Sequence, residues 1–211
     1  MVKHLINNTP LVFAMNKRII LASSSPRRNK LLARIISDFE VIPASILEEM
    51  VPGFRPDEQT IENALRKARD VSLRYPDAVV IGADTVVILK GRILGKPASP
   101  EEAIEMLEEL SGRTHSVITG LAIVNARDGI ELMNFEKTDV TFRILTEKEI
   151  RNYVAAGTCL DKAGAYGIQE IGDSFIESIN GEIDNVIGLP LELVSEMLEE
   201  ISKLMGIDKK V

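Results

Sequence analysis

The stretch AVVIGADTVVILKG, residues 78–91, decides how this chain folds. Its two runs, Val79-Val80-Ile81 and Thr85-Val86-Val87-Ile88, are rich in β-branched residues on successive positions, as a strand buried on both faces requires. Asp84 stands between them. A carboxylate in an apolar strand is costly to desolvate unless a cation, a metal ion or backbone donors meet it. The plainer account is an aspartate at a strand end, so the strand is expected to break across 82–85. Gly91 then closes a hairpin turn.

Outward from this stretch, residues 18–22 read as a second buried strand, followed by SSSPRRNKLL, residues 23–32. Ser25 is placed to cap a helix, with Pro26 at its first position and Leu31, Leu32, Ile35 and Ile36 on one face, which predicts a helix over about 25–37. Two adjacent cations, Arg27 and Arg28, at a helix N-terminus oppose the macrodipole. Either they are solvated surface, or a strongly anionic ligand docks there on serine hydroxyls, backbone N–H groups and guanidinium forks.

A Pro/Gly-rich segment over 43–56, carrying Glu48 and Glu49, reads as loop. The spacing of Ile61, Ala64, Leu65, Ala68 and Val71 predicts a helix over 60–74. Capping boxes at Ser99/Glu102 and Thr146/Glu149 open two further helices, the first stopped by Gly112 and the second near Gly157. Strands dominate 115–144 around the turn Asp128-Gly129, and Asn180-Gly181 precedes a last helix over about 190–205. This order predicts an α/β protein with a mixed sheet.

With 211 residues, 45% of them hydrophobic, the chain suits one domain or two small lobes around a cleft. A net charge of -7 argues against a partner that is a nucleic-acid polymer or an anionic membrane, since both need a broad basic surface. Any anionic ligand must be met by a local cluster of cations or through a metal ion. The lone cysteine, Cys159, excludes an intrachain disulfide and a Cys-rich zinc site, which favours a cytoplasmic setting. No apolar run reaches the roughly 18 residues of a membrane span. The N-terminal MVKHLINNTPLVFAMNK has only a broken apolar core and no convincing cleavage site, so a signal peptide is rejected. Residues 1–16 are expected to be an extension, with its first 14 dispensable, and 17–211 the domain.

GRILGK, residues 91–96, imitates a phosphate-binding loop but fails, with three residues between its glycines and Pro97 where a hydroxyl should follow. It leaves Lys96 beside a rigid proline. DKAGAYGIQ, residues 161–169, is a tight small-residue loop or, ending in Gln169, the rim of a ligand site. His115, Cys159 and the acidic run around residues 105–109 are read as structural or solvated.

Taken together, SSSPRRNKLL, ENALRKA, IGADTVVILKGRILGKP, LSGRTHSVITG, TDVTFR, DKAGAYGIQ and NVIGLP follow in an order and spacing that resemble the Maf family of nucleoside triphosphate pyrophosphatases, from about residue 17 to the final helix. The resemblance implies a mixed extended sheet flanked by helices, with two lobes around a central cleft. It implies hydrolysis of a nucleoside triphosphate to the monophosphate and pyrophosphate with Mg²⁺ or Mn²⁺, the house-cleaning of nucleotide pools, and a homodimer. Carried over, the catalytic residues are Asp84, Lys96, Lys67 and Glu48, of which Asp84 and Glu48 would hold the metal. Ser23, Arg27, Arg28, Thr85 and Gln169 would bind substrate. ADT at 83–85 and GIQ at 167–169 are similar to the branch acting on dTTP and UTP, because a Gln amide can both donate to and accept from a pyrimidine edge. Two alternatives stay open: the same chemistry on 7-methylguanine or other purine nucleotides, and a nucleotide-binding regulator of cell division.

Overall fold

The computed structural model describes residues 17–206, residue 48 excepted. Its strands are β1 (Ile19–Leu21), β2 (Glu40–Val41), β3 (Val79–Leu89), β4 (Arg92–Leu94), β5 (Thr114–Asn125), β6 (Ile130–Phe142) and β7 (Ile176–Asn180). They form a mixed sheet in the order β2-β1-β3-β5-β6-β7, with β4 beside β3. β1 runs parallel to β2 and β3; the other pairings are antiparallel. The helices are α1 (Pro26–Leu32), α2 (Pro56–Arg74), α3 (Pro100–Leu110), α4 (Glu147–Ala155), α5 (Ile168–Ile171), α6 (Ile183–Ile187) and α7 (Leu191–Leu204).

The break expected at 82–85 does not occur. β3 runs through Asp84 without interruption, in continuous register with β5 from Val80↔Val124 to Ile88↔Ser116. A helix laid across the strand supplies the cation that the carboxylate needs, so the backbone has no reason to turn out to solvent.

This long strand carries both lobes. On one side of it Val79, Ile81 and Ala83 pack with Leu32, Ile123 and Leu198. Farther along that side, Val87 and Leu89 enter a separate core with Leu107, Phe142 and Ile150. Thr85 is the residue of the same side that falls between the two cores, and the cleft opens there. On the opposite side Val80 packs with Ala122, Val124 and the α2 residues Ala64, Ala68 and Val71.

Two glycines set how closely α2 lies on the sheet. A Cβ at Gly82 would stand 2.2 Å from the Ala64 oxygen, and one at Gly120 2.3 Å from the Thr60 carbonyl carbon. The small stripe Thr60, Ala64 and Ala68 therefore rests on bare strand backbone. The helix starts at Pro56, earlier than its apolar spacing predicts, because Pro56 suits its first position and Glu58 Oε2 accepts from the Arg55 N–H (2.9 Å).

Helix α1 is shorter than expected and stops at Leu32. Arg34 and Ile35 bond three residues back, to Leu31 and Leu32 (both 3.0 Å), and this tightened turn drives Ile36 into the core. The Ser25, Ser99 and Thr146 caps and the turns at Gly91, Gly129 and Gly181 form as the sequence predicts. The expected extension over residues 1–16 lies outside the described residues. Among those described, no helix is long and apolar enough to cross a membrane.

Candidate active site

Asp84 is the centre of the cleft wall. Its side chain points to the α2 face of β3, two residues after Gly82 and directly opposite Gly120 on the paired strand. Because those positions lack side chains, α2 comes close enough for Lys67 Nζ to donate to Asp84 Oδ1 at 2.7 Å and Asn63 Nδ2 to Asp84 Oδ2 at 3.1 Å. Lys67 also reaches the Ala83 oxygen (3.3 Å). Both members of the ion pair are about nine-tenths buried. Such a pair is weak evidence of stability, since desolvation offsets most of its attraction, and its position at a cleft points to use instead.

The start of α1 forms the next part of the wall. Arg28 ties three elements together, donating from Nε to Gly188 O (2.8 Å), from Nη1 to Ala83 O (2.9 Å) and from Nη2 to Thr85 Oγ1 (3.0 Å). Ser23 Oγ accepts from the Ser25 N–H (3.2 Å) and lies 3.4 Å from Arg28 Nη1. Thr85 Oγ1 also bonds Thr119 Oγ1 (3.0 Å). The awkward cation at the helix start is thus held by carbonyl and hydroxyl oxygens of the fold itself. Arg27 extends across the cleft to Asp161 Oδ2 at 2.9 Å, joining the two lobes by an ion pair.

The far wall comes from the second lobe. The two-residue turn at Lys90-Gly91, both with positive φ, returns β4 along β3 and delivers the exposed Lys96 to the rim. The segment 161–169 supplies Asp161, Lys162, Tyr166 and Gln169. Lys162 is buried, donates to Asp161 Oδ1 (2.8 Å) and to the Thr158 oxygen, and pairs with Glu170 (3.2 Å). Burial raises the Asp161 pKa, but the Lys162 and Arg27 hydrogen bonds outweigh it and hold the carboxyl below its usual range. Behind this wall Tyr166 shares a 2.7 Å hydrogen bond with His115 Nε2, and burial lowers His115 to about 4. His115 is therefore a neutral structural partner, as the sequence suggests.

The cleft has a volume of about 570 Å³. Ser23, Arg27, Arg28, Lys67, Asp84, Thr85, Lys96 and Gln169 all line it. Glu48 lies outside the described residues, although its neighbours Ile46 and Leu47 line the same cleft. Two participants were missed. Lys162 stood inside a quoted motif but read as part of a small-residue loop. Asn63 carries a legible signal, lying one helical turn before Lys67, yet only the α2–β3 approach gives that spacing a target. Among the described lining residues five cations face two carboxylates, so the cleft is locally positive in a chain of net charge -7. That balance suits a small polyanion.

The donor set also fits a divalent cation delivered with that anion. Asp84 offers hard carboxylate oxygens, of whose roughly four acceptor positions two are occupied. No group of three or more His, Cys, Asp or Glu gathers among the described residues; Mg²⁺ usually takes one or two carboxylates and fills its other positions with phosphate oxygens and water.

Fold and site together define a two-lobed α/β protein with a cationic cleft built around one buried carboxylate. The chain belongs to the family of Maf-like proteins, which matches residues 18–201. It is 48% identical to a dTTP/UTP pyrophosphatase of Moorella thermoacetica, over 90% of this chain and 96% of that protein. A dTTP/UTP pyrophosphatase of Symbiobacterium thermophilum is 47% identical over 87% of this chain and 94% of its own. Among solved structures, the Staphylococcus aureus Ham1 protein aligns with 87% of this chain and 99% of its own at 20% identity and a TM-score of 0.49.

Proposed function

We propose that the chain is a nucleoside triphosphate pyrophosphatase that hydrolyses dTTP and UTP to the monophosphate and pyrophosphate. The observation that carries this reading is Asp84, held between Lys67 and Asn63 in a cleft whose other charged groups are mostly cations. The names of relatives nearly half identical over most of the chain support the same substrates.

Attack of water on the α-phosphorus requires removal of a proton from the nucleophile and compensation of charge on the departing pyrophosphate. Asp84 is the group in position to orient that water and accept its proton, with Lys67 and Asn63 directing the carboxylate. Arg27 and Lys162 are joined through Asp161, so a phosphate entering between them can exchange with an exposed carboxylate instead of meeting bare charge. Lys96 stands on the opposite rim as a point charge for the leaving group. Arg28 fixes Thr85 and the Gly188 turn, which shapes the floor beneath the nucleotide. Gln169, exposed at the rim, is the reader of the base edge. A divalent ion, Mg²⁺ or Mn²⁺, would be held by Asp84 with Glu48 and would further offset the phosphate charge. The reading extends to the free nucleotide pool of the cytoplasm.

Pyrophosphate release from a panel of dTTP, UTP, CTP, GTP and 7-methyl-GTP, with and without Mg²⁺, tests this reading. Preference for dTTP and UTP is expected. Binding without turnover of any nucleotide would leave only a nucleotide-binding protein.

A further inference from the structure

We propose, on the pyrophosphatase reading above, that Asp161 is a carboxylate latch, which competes with the pyrophosphate portion of substrate and product for the cation pair Arg27 and Lys162. Its two oxygens are divided between the lobes. Oδ2 accepts from Arg27 Nη1 at 2.9 Å and Oδ1 from Lys162 Nζ at 2.8 Å. Two oxygens of one phosphoryl group can bridge the same two donors, because charge-assisted bonds to carboxylate and to phosphate ask for similar directions and lengths. A phosphate that takes both donors must displace the carboxylate.

The three side chains differ in how freely they can move. Lys162 is 6% exposed and keeps the Thr158 oxygen and Glu170 Oε1 (3.2 Å) as partners when Asp161 leaves, so it stays in place. The Asp161 side chain is 64% exposed and can turn into water without desolvation. The backbone beneath it is pinned. Lys162 donates its N–H to Cys159 O (3.2 Å) and Gly164 donates to Gly95 O (3.0 Å). Gly164 also lies so close to Val87 that a Cβ there would stand 3.0 Å from both Val87 methyl carbons. Exchange is therefore a rotation of one exposed side chain, on the picosecond-to-nanosecond scale and far faster than ordinary turnover. It acts on affinity and leaves the chemical step alone. The Gly164–Gly95 bond also brings the segment that carries Lys96 alongside, so a third cation belongs to the same end of the cleft.

A latch weakens whatever needs its subsite by the fraction of time it leaves that subsite open, so one closed about nine-tenths of the time costs about tenfold in apparent affinity. The triphosphate still has its base, read at the rim, as a second anchor. Free pyrophosphate has none. The latch thus keeps the product weakly held and the cleft ready for the next substrate.

Asp161→Asn keeps the shape of the side chain and removes the charge that holds both cations, whereas Asp161→Glu keeps the charge. Calorimetry with metal-free pyrophosphate on the full chain is expected to show at least about tenfold tighter binding to Asp161→Asn than to the wild type, with Asp161→Glu near the wild type and dTMP bound equally by all three. In dTTP turnover Asp161→Asn should show a lower KM, no gain in kcat, and inhibition by pyrophosphate at about tenfold lower concentration. Unchanged or weaker pyrophosphate binding by Asp161→Asn overturns the proposal, because Asp161 is then only a structural tie between the lobes. An equal gain for dTMP also overturns it. Glu170→Gln removes the same charge beside Lys162 without touching Arg27, so a gain as large in that variant would reduce the effect to general electrostatics and overturn the latch as well. Calorimetry reads binding without turnover, which separates the two readings. A wild-type chain that hydrolyses no nucleotide overturns the pyrophosphatase reading, while a gain in pyrophosphate affinity by Asp161→Asn still supports the competition for Arg27 and Lys162.

Discussion

Gly120→Ala tests whether the approach of α2 to the sheet assembles the proposed catalytic carboxylate, Asp84. The added Cβ would lie 2.3 Å from the Thr60 carbonyl carbon and 2.5 Å from the Ile61 nitrogen, against an ordinary contact of 3.4 Å or more. Those are helix backbone atoms, which cannot rotate away, so α2 must lift by about 1 Å. The Lys67–Asp84 and Asn63–Asp84 bonds, now 2.7 and 3.1 Å, would stretch to about 3.7 and 4.1 Å and cease to be hydrogen bonds. Overpacking of this kind costs about 1–3 kcal/mol, or about 2–12 °C in melting temperature for a domain of this size. A displacement of about 1 Å at the reacting groups is expected to lower kcat by about 10²-fold. Thermal melts and pyrophosphate release on the same sample, at a temperature where the variant is still folded, separate the two effects. Wild-type turnover in a destabilised variant would show that the helix-to-strand spacing does not set the chemistry.

Asp84→Asn and Lys96→Ala should each reduce kcat on dTTP by at least about 10²-fold in steady-state assays, as loss of a proton acceptor or of a charge contact at the transition state does. Gln169→Glu should lower kcat/KM on dTTP by more than about tenfold, or about 1.4 kcal/mol, and shift the dTTP to GTP ratio; an unchanged ratio would remove Gln169 as the base reader. Two groups make opposite pH signatures in stability. His115 is held near 4 by burial, below its unfolded 6.5, so the folded state loses about 3 kcal/mol as pH falls from 6.5 to 4, and denaturant melts of His115→Gln should show a shallower loss. Glu182 is pushed up to about 7 by burial, by its hydrogen bond to Glu192 and by the charges of Glu192, Glu136 and Asp184. Its contribution is therefore greatest in acid and is lost as pH rises from about 4.5 through 7. Because half of the group is exposed, we expect Glu182→Gln to gain only about 1 kcal/mol at pH 8 and nothing at pH 5.

Local chemistry made much of the architecture legible. Ser25-Pro26, Ser99-Pro100 and Thr146 with Glu149 satisfy the first free N–H groups of a helix from within four residues, and Lys90-Gly91 turns a chain through its own backbone preference. Such signals need no distant partner. Two of the misreadings share one cause. Asp84 looked like a strand end, and α1 looked longer than it is, because each depends on a residue far away in the chain: Lys67 on α2 for the first, and the core that receives Ile36 for the second.

The candidate site divides in the same way. The kinds of residue it needs, a carboxylate beside a strand of apolar neighbours, cations next to serines and a glutamine after a small-residue loop, stand in the sequence because chemistry restricts which side chains can do the work. Their convergence does not, since Ser23, Lys67, Asp84, Lys96 and Gln169 come from separate parts of the chain and meet only around the cleft. Tertiary structure also decided what each cation faces: carbonyl oxygens for Arg28, the opposite lobe for Arg27, and Asp84 for Lys67. The sequence by itself determined the local caps, turns and chemical inventory, whose energies act within a few residues. Only the fold determined which of these groups share a dielectric and a distance, because glycines as remote as Gly82 and Gly120 set how near a helix may come to a strand.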